Sequence, residues 1–188
     1  MAGAGELRAL RDRPYELLRE MDRRARAAGQ GQPEASVTGA EWVGVAFRLG
    51  GEAFLMAREE IREVMGYPAA VTRVPGARGW IRGLSNLRGQ LLPVVDLRAL
   101  LGAGPTGVTR TTRLLVANHR EIPAGIIVDE VMGFRRFYAG EFSADLPPTL
   151  LRCERYLAGT FKRGPEVWPV FGVRTLLESP AFQQAAAS

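Results

Sequence analysis

The feature that most restricts this chain is a repeat that runs without gaps. At a constant offset of 76 residues, Trp80 falls on Tyr156, Gly83 on Gly159, Pro93 on Pro169, Val94 on Val170, Arg98 on Arg174 and Leu100-Leu101 on Leu176-Leu177. The first copy reads as strand, tight turn, strand and short helix. Trp80 to Leu87 and Gln90 to Val95 are β-rich runs, and Arg88-Gly89 between them places a glycine where a hairpin turn can demand positive φ. Asp96 stands at a helix N-cap, Leu97, Leu100 and Leu101 follow at helical spacing, and Gly102 is placed as the stop. Pro93 cannot donate to a ladder, so its strand is expected to lie at a sheet edge or to carry a bulge. In the second copy Gly172 replaces the Asp96 cap, and Gly164 stands opposite Arg88. Two strand sets of this size, each too small to bury much surface alone, predict two small barrels packed on each other, over roughly 41–102 and 112–178.

The remaining text fills in these sets. Val43, Val45, Phe47 and Leu49 alternate with Trp42, Gly44, Ala46 and Arg48, which predicts a half-buried strand. Gly50-Gly51 turns it into a hairpin with Glu52 to Ala57, and Ile61 to Met65 is a third strand or a short helix. Arg113 to Asn118, Ile122 to Val128 and Val131 to Phe137 read as a β-meander, and Tyr138 to Glu154 as irregular chain interrupted by Pro147-Pro148. Before the strands, Glu6 to Ala28 carries Leu7, Leu10, Leu17, Leu18, Met21 and Ala25 on one helical face, and Gly29 to Gly39 is a polar linker. The expected organisation is therefore an N-terminal helix and linker over 1–38, a β-body over 39–180 and a loosely helical tail over 181–188.

Chemistry is hard to find in this text. One histidine and one cysteine leave no zinc site, no hard-metal loop is present, and His119 and Cys153 carry no signature of a catalytic dyad. Gly102 to Gly107, GAGPTG, has the spacing of a dinucleotide loop but follows a helix and precedes a strand, so it reads as a flexible connector. Gly83-Leu84-Ser85 lacks the closing glycine of a nucleophile elbow, since Leu87 stands there. The acid pairs Glu59-Glu60 and Asp129-Glu130 read as exposed strand-end charges. Net charge is +5, with 25 basic against 20 acidic residues, yet the arginines are interspersed with acids and form no basic block. No nucleic acid, cofactor, metal or direct membrane insertion is therefore expected, and a binding module is favoured over an enzyme. A lone cysteine and the lack of a signal-peptide core or an apolar run of about 18 residues point to the cytoplasm.

Several strings together resemble the CheW-like adaptor domains of bacterial chemosensory arrays. They are GLSNLRGQLLPVVDLRALLG, FRLGGEAFLMAREEIREVMGYP, AGIIVDEVMGF and YLAGTFKRGPEVWPVF, and the likeness covers roughly residues 41–178. RVPGARGWIRGLSNLRGQLLPV, Leu146 to Pro148 and WPVF resemble the branch that serves the type IV pilus (twitching) system. The resemblance implies a mainly β fold of two five-stranded SH3-like barrels around a shared apolar core. It also implies a non-enzymatic adaptor between a methyl-accepting chemoreceptor's cytoplasmic hairpin and the regulatory domain of a CheA-type histidine kinase, recruited to membrane receptor arrays. Glu63 in EEIREVMGY, Gly83 in IRGL and Arg88 in NLRG match family positions implicated in those contacts. From the residues alone, the structural readings prevail: Glu63 as an exposed strand charge, Arg88 as a turn arginine paired within the fold, and Gly83 as a backbone requirement repeated at Gly159. The N-terminal helix departs from the minimal family pattern.

Overall fold

The structure is a computed structural model that describes residues 41–184, so the helix and linker expected before residue 39 lie outside the described residues. The body is mainly β. Its strands are β1 (Glu41–Leu49), β2 (Glu52–Ala57), β3 (Ile61–Gly66), β4 (Ile81–Leu87), β5 (Gln90–Asp96), β6 (Arg113–Ala117), β7 (Gly125–Val128), β8 (Glu130–Tyr138), β9 (Phe142–Ser143), β10 (Leu157–Arg163) and β11 (Glu166–Phe171). Among the described residues, the short α-helices α1 (Leu97–Leu100) and α2 (Val173–Leu177) follow strand ends, and α3 (Pro180–Gln183) follows α2.

The 76-residue repeat is carried into the backbone. β4, β5 and α1 fall on β10, β11 and α2, and each first strand carries a register shift, at Ile81/Gly83 and at Leu157/Gly159. In each copy the residue after the second strand's core returns an N–H to the residue before the first: Asp96 to Trp80 O and Gly172 to Tyr156 O, both 2.8 Å.

The sheets do not follow the two sequence halves. One has the order β8-β1-β2-β11-β10-β9 and the other β3-β6-β7-β5-β4. Each takes its central hairpin, β1-β2 or β6-β7, from one half and its flanking strands from the other. The division expected at 102/112 is thus corrected to an exchange of hairpins between the halves. The same exchange ends the expected meander after β7, because β8 leaves to pair with β1.

This exchange explains why the strands are apolar on both faces. Along β2, Phe54 and Met56 enter a large shared core while Leu55 and Ala57 enter a second core inside the six-stranded sheet. Along β6, Leu115 and Ala117 join the shared core, and Leu114 and Val116 a third core inside the five-stranded sheet. β1, expected half-buried, is likewise buried on both faces: Val45, Phe47 and Leu49 go to the shared core, and Trp42 and Ala46 to the second. The Trp42 indole lies over Gly44, where a Cβ would stand 2.4 Å from the ring, so glycine there makes room for the aromatic cluster of Trp42, Phe137 and Phe161.

Other expectations shift for local physical reasons. β5 is interior, not an edge; Pro93 is tolerated because the parallel pairing with β7 begins one residue later, at Val94. Pro169 stands in the same relation to the parallel pair Val170↔Leu55. The connector after α1 is anchored at its middle, since Thr106 is buried and bonds Asp96 through both N–H and hydroxyl at 2.8 Å. Glu60 is buried rather than an exposed strand-end charge, and its carboxylate accepts from Val173 N at 3.0 Å. It therefore supplies to α2 the cap that Gly172 cannot. Of the expected tail, 181–183 complete α3 behind the Ser179 cap, held by buried Phe182 against Trp80, while 185–188 lie outside the described residues.

Candidate functional site

Leu87 and Gln90 are the last pair of the β4-β5 ladder, which leaves Arg88 and Gly89 as a two-residue loop. Both have positive φ, 51° and 84°, as the tight primed turns of hairpins require, and Asn86 Oδ1 accepts from Gly89 N at 2.8 Å. Sequence reasoning assigned left-handed backbone to the glycine alone. The turn projects the Arg88 side chain, 77% exposed, to Glu63 on β3, where Nη2 donates to Oε1 at 2.7 Å.

β3 and β4 are the two edges of the five-stranded sheet. Two predicted site residues 25 positions apart therefore meet at the seam where that sheet curls back on itself. Arg62 Nη1 donates to Gln90 Oε1 across the same seam at 3.4 Å. With Arg88 largely exposed and Glu63 partly so, the pair is worth at most ~1 kcal/mol.

The six-stranded sheet closes similarly, with heavier use of its arginine. Arg163 binds both oxygens of Glu141, at 2.6 and 3.0 Å, donates to Arg136 O on β8 at 2.6 Å, and lies 4.5 Å from the Phe137 ring centroid. The Arg163 hydrogen bond holds the Glu141 carboxyl below the usual carboxylate range.

Gly83, the third predicted residue, is buried. Its φ is 145°, and a Cβ would lie 2.2 Å from the carbonyl oxygen of Thr72, the residue whose backbone bridges Leu84 in both directions. Gly159 repeats the arrangement with φ 153° against Phe142 and Ser143. Gly83 therefore shapes the strand that carries Arg88 and presents no side chain to a partner.

Beside the Arg88–Glu63 seam runs a groove of about 220 Å³ between β3 and β8, where the shared core reaches the surface. Val45, Ile61 and Val131 of that core form its floor, and Val64 and Phe134 stand in it partly exposed, Phe134 at 58%. Arg58 lies over the Phe134 ring at 5.9 Å. Arg62 and Glu63 line both this groove and the adjoining cleft formed with Leu87, Arg88 and Gln90. Sequence reasoning missed Arg58, Arg62, Val131 and Phe134. The available signal was Gly133 before Phe134: the ladder shifts register where Ala46↔Gly133 is followed by Phe47↔Val131, a bulge beside an exposed aromatic.

The other chemical candidates are occupied elsewhere. His119 Nδ1 accepts from Glu121 N and Ile122 N, and Nε2 lies 3.5 Å from Glu178. Cys153 is buried beside Thr149, and burial pushes its thiol up to about 11. Among the described residues no group of three or more His, Cys, Asp or Glu side chains could hold a metal, and no helix is long and apolar enough to cross a membrane.

The chain is similar to known proteins. Protein PilI of Pseudomonas aeruginosa is 35% identical over 173 residues, covering 92% of this chain and 96% of that protein. The chemotaxis protein CheW of Bacillus subtilis is 34% identical over 86 residues, 46% of this chain and 54% of that one. The crystal structure of the scaffolding protein TtCheW from Thermoanaerobacter tengcongensis superposes with a TM-score of 0.65 at 23% identity, covering 80% of this chain and 96% of that one, which supports the fold. The CheW-like domain itself matches residues 43–181, from within β1 to within α3, a span in which both seams, the groove and the exchanged hairpins lie, and the chain therefore belongs to the CheW-like domain family.

Proposed function

We propose that this protein is a non-enzymatic adaptor that joins a methyl-accepting chemoreceptor to a CheA-type histidine kinase in a chemosensory pathway controlling type IV pilus twitching motility. The observation that carries the reading is the meeting of Glu63 and Arg88 in one exposed pair beside an apolar groove. The pair offers a charged contact for a kinase regulatory domain, and the groove a seat for a receptor's helical hairpin. Two contact regions that share Arg62 and Glu63 let one small body hold both partners. Gly83 contributes by keeping β4 close to Thr72, so its effect on binding passes through Arg88. The extensive match to PilI favours the pilus output over a flagellar one. Capture from native cell extract tests the reading: recovery of a histidine kinase and a methyl-accepting receptor supports it, and recovery of nucleic acid with neither protein would overturn it.

A further inference from the structure

Resting on the adaptor reading, we infer that the groove between β3 and β8 selects an α-helix whose apolar stripe is flanked by carboxylates. The groove's floor and walls are apolar, but its charged lining is not neutral. Arg58 and Arg62 stand along β3 and the turn before it, and the hydrogen bonds that hold them go to the carbonyl of Ile61 and the amide oxygen of Gln90. Neither acceptor carries a charge; Glu59 interacts electrostatically with Arg58 but is not part of the groove's lining. Glu63, the one acid lining the groove among the described residues, is already engaged by Arg88. A ligand entering here meets two arginine cations beside exposed Phe134 and Val64, in a concave site where partial desolvation strengthens the charge contact.

The groove's backbone argues against an extended ligand. β8 is an edge strand, but the register shift at Met132 and Gly133 interrupts its ladder beside Phe134, and Arg163 already occupies the Arg136 carbonyl. A helix needs no ladder; it lays a stripe at i, i+3, i+4 and i+7 into the apolar trough and places flanking carboxylates on the rim. Arg58, held over Phe134, couples the apolar and charged halves of the contact.

Two synthetic helical peptides of about 20 residues, with the same leucine and valine stripe and either glutamate or lysine beside it, test the rule by fluorescence anisotropy on the full chain. We expect the glutamate peptide to bind about tenfold more tightly or better, with the difference shrinking at high salt. Arg58→Glu combined with Arg62→Glu should reverse the preference, with thermal melts run alongside; the peptide comparison stands without the variant. Equal affinities, a preference for the lysine peptide, or no saturable binding of either would overturn the charge rule. If kinase and receptor are still captured from extract in that case, only the charge rule falls. Failure of capture with the peptide preference intact would instead count against the adaptor reading.

Discussion

Asp96 shows how much one residue can hold beyond its local role. Its side chain caps α1 through Ala99 N at 3.1 Å, is fully buried, and also receives Arg82 Nε at 2.9 Å and both donors of Thr106. A cap alone is worth about 1 kcal/mol, whereas removing one partner of a buried ion pair costs about 3 kcal/mol or more. We therefore expect Asp96→Ala to destabilise the protein by at least ~3 kcal/mol in denaturant unfolding; a loss near ~1 kcal/mol would reduce Asp96 to a cap. The cap was legible because its signal is local. Arg82 and Thr106 were not, since nothing in the spacing marks which arginine or which loop hydroxyl returns to a carboxylate. Glu141 gives a pH-dependent counterpart. Its folded pKa lies below the ordinary 4.5 because Arg163 binds the charged form. That stabilisation is complete above about 4.5 and lost as pH falls through the folded value. The melting-temperature gap between the wild type and Glu141→Gln should be constant near neutrality and close below about pH 4.5; a gap that widens in acid would contradict the assignment.

At the scale of elements, the repeat predicted both strand-turn-strand-helix units with little error because each is specified by contiguous residues. What it could not reveal is how the two copies solve the same problem with different parts. α1 carries its own cap, while α2 begins at Gly172 and borrows Glu60 from the turn before β3, 113 residues from Val173. We expect Glu60→Ala to cost about 2 kcal/mol of stability, because two N–H groups at the start of α2 lose a charged acceptor, and Glu60→Gln to recover part of it. Denaturant titration of the pair checks this; an unchanged midpoint in Glu60→Ala would remove the cap. The seams differ in the same way. Arg88 makes one exposed ion pair, whereas Arg163 adds a second carboxylate oxygen, a backbone carbonyl and an aromatic face. Arg163 is thus a support of its sheet, and its reversal would confuse stability with binding.

Across the whole molecule, fold class and family were legible, whereas the sheet partition was not. Two-faced apolar strands such as β2 and β6 satisfy either a contiguous pair of barrels or an exchanged one, and periodicity does not say which hairpin joins which sheet. The candidate site was legible in two of its members, Glu63 and Arg88, because they lie in recognisable strings; the groove was not, because its walls come from strands of different halves. The described body holds its cores from β1 onward, so deletion of residues 1–38 should leave a cooperative thermal transition, and a molten or insoluble product would show that the N-terminal segment completes a core. Arg88 is proposed to serve partners more than the fold. Calorimetric titration of Arg88→Glu against the kinase regulatory domain, with a thermal melt of the same preparation, separates the two roles. We expect a melting temperature close to wild type and a loss of at least ~2 kcal/mol in binding, roughly thirtyfold in affinity. Unchanged affinity, or a large fall in melting temperature, would contradict it and return Arg88 to the seam it closes.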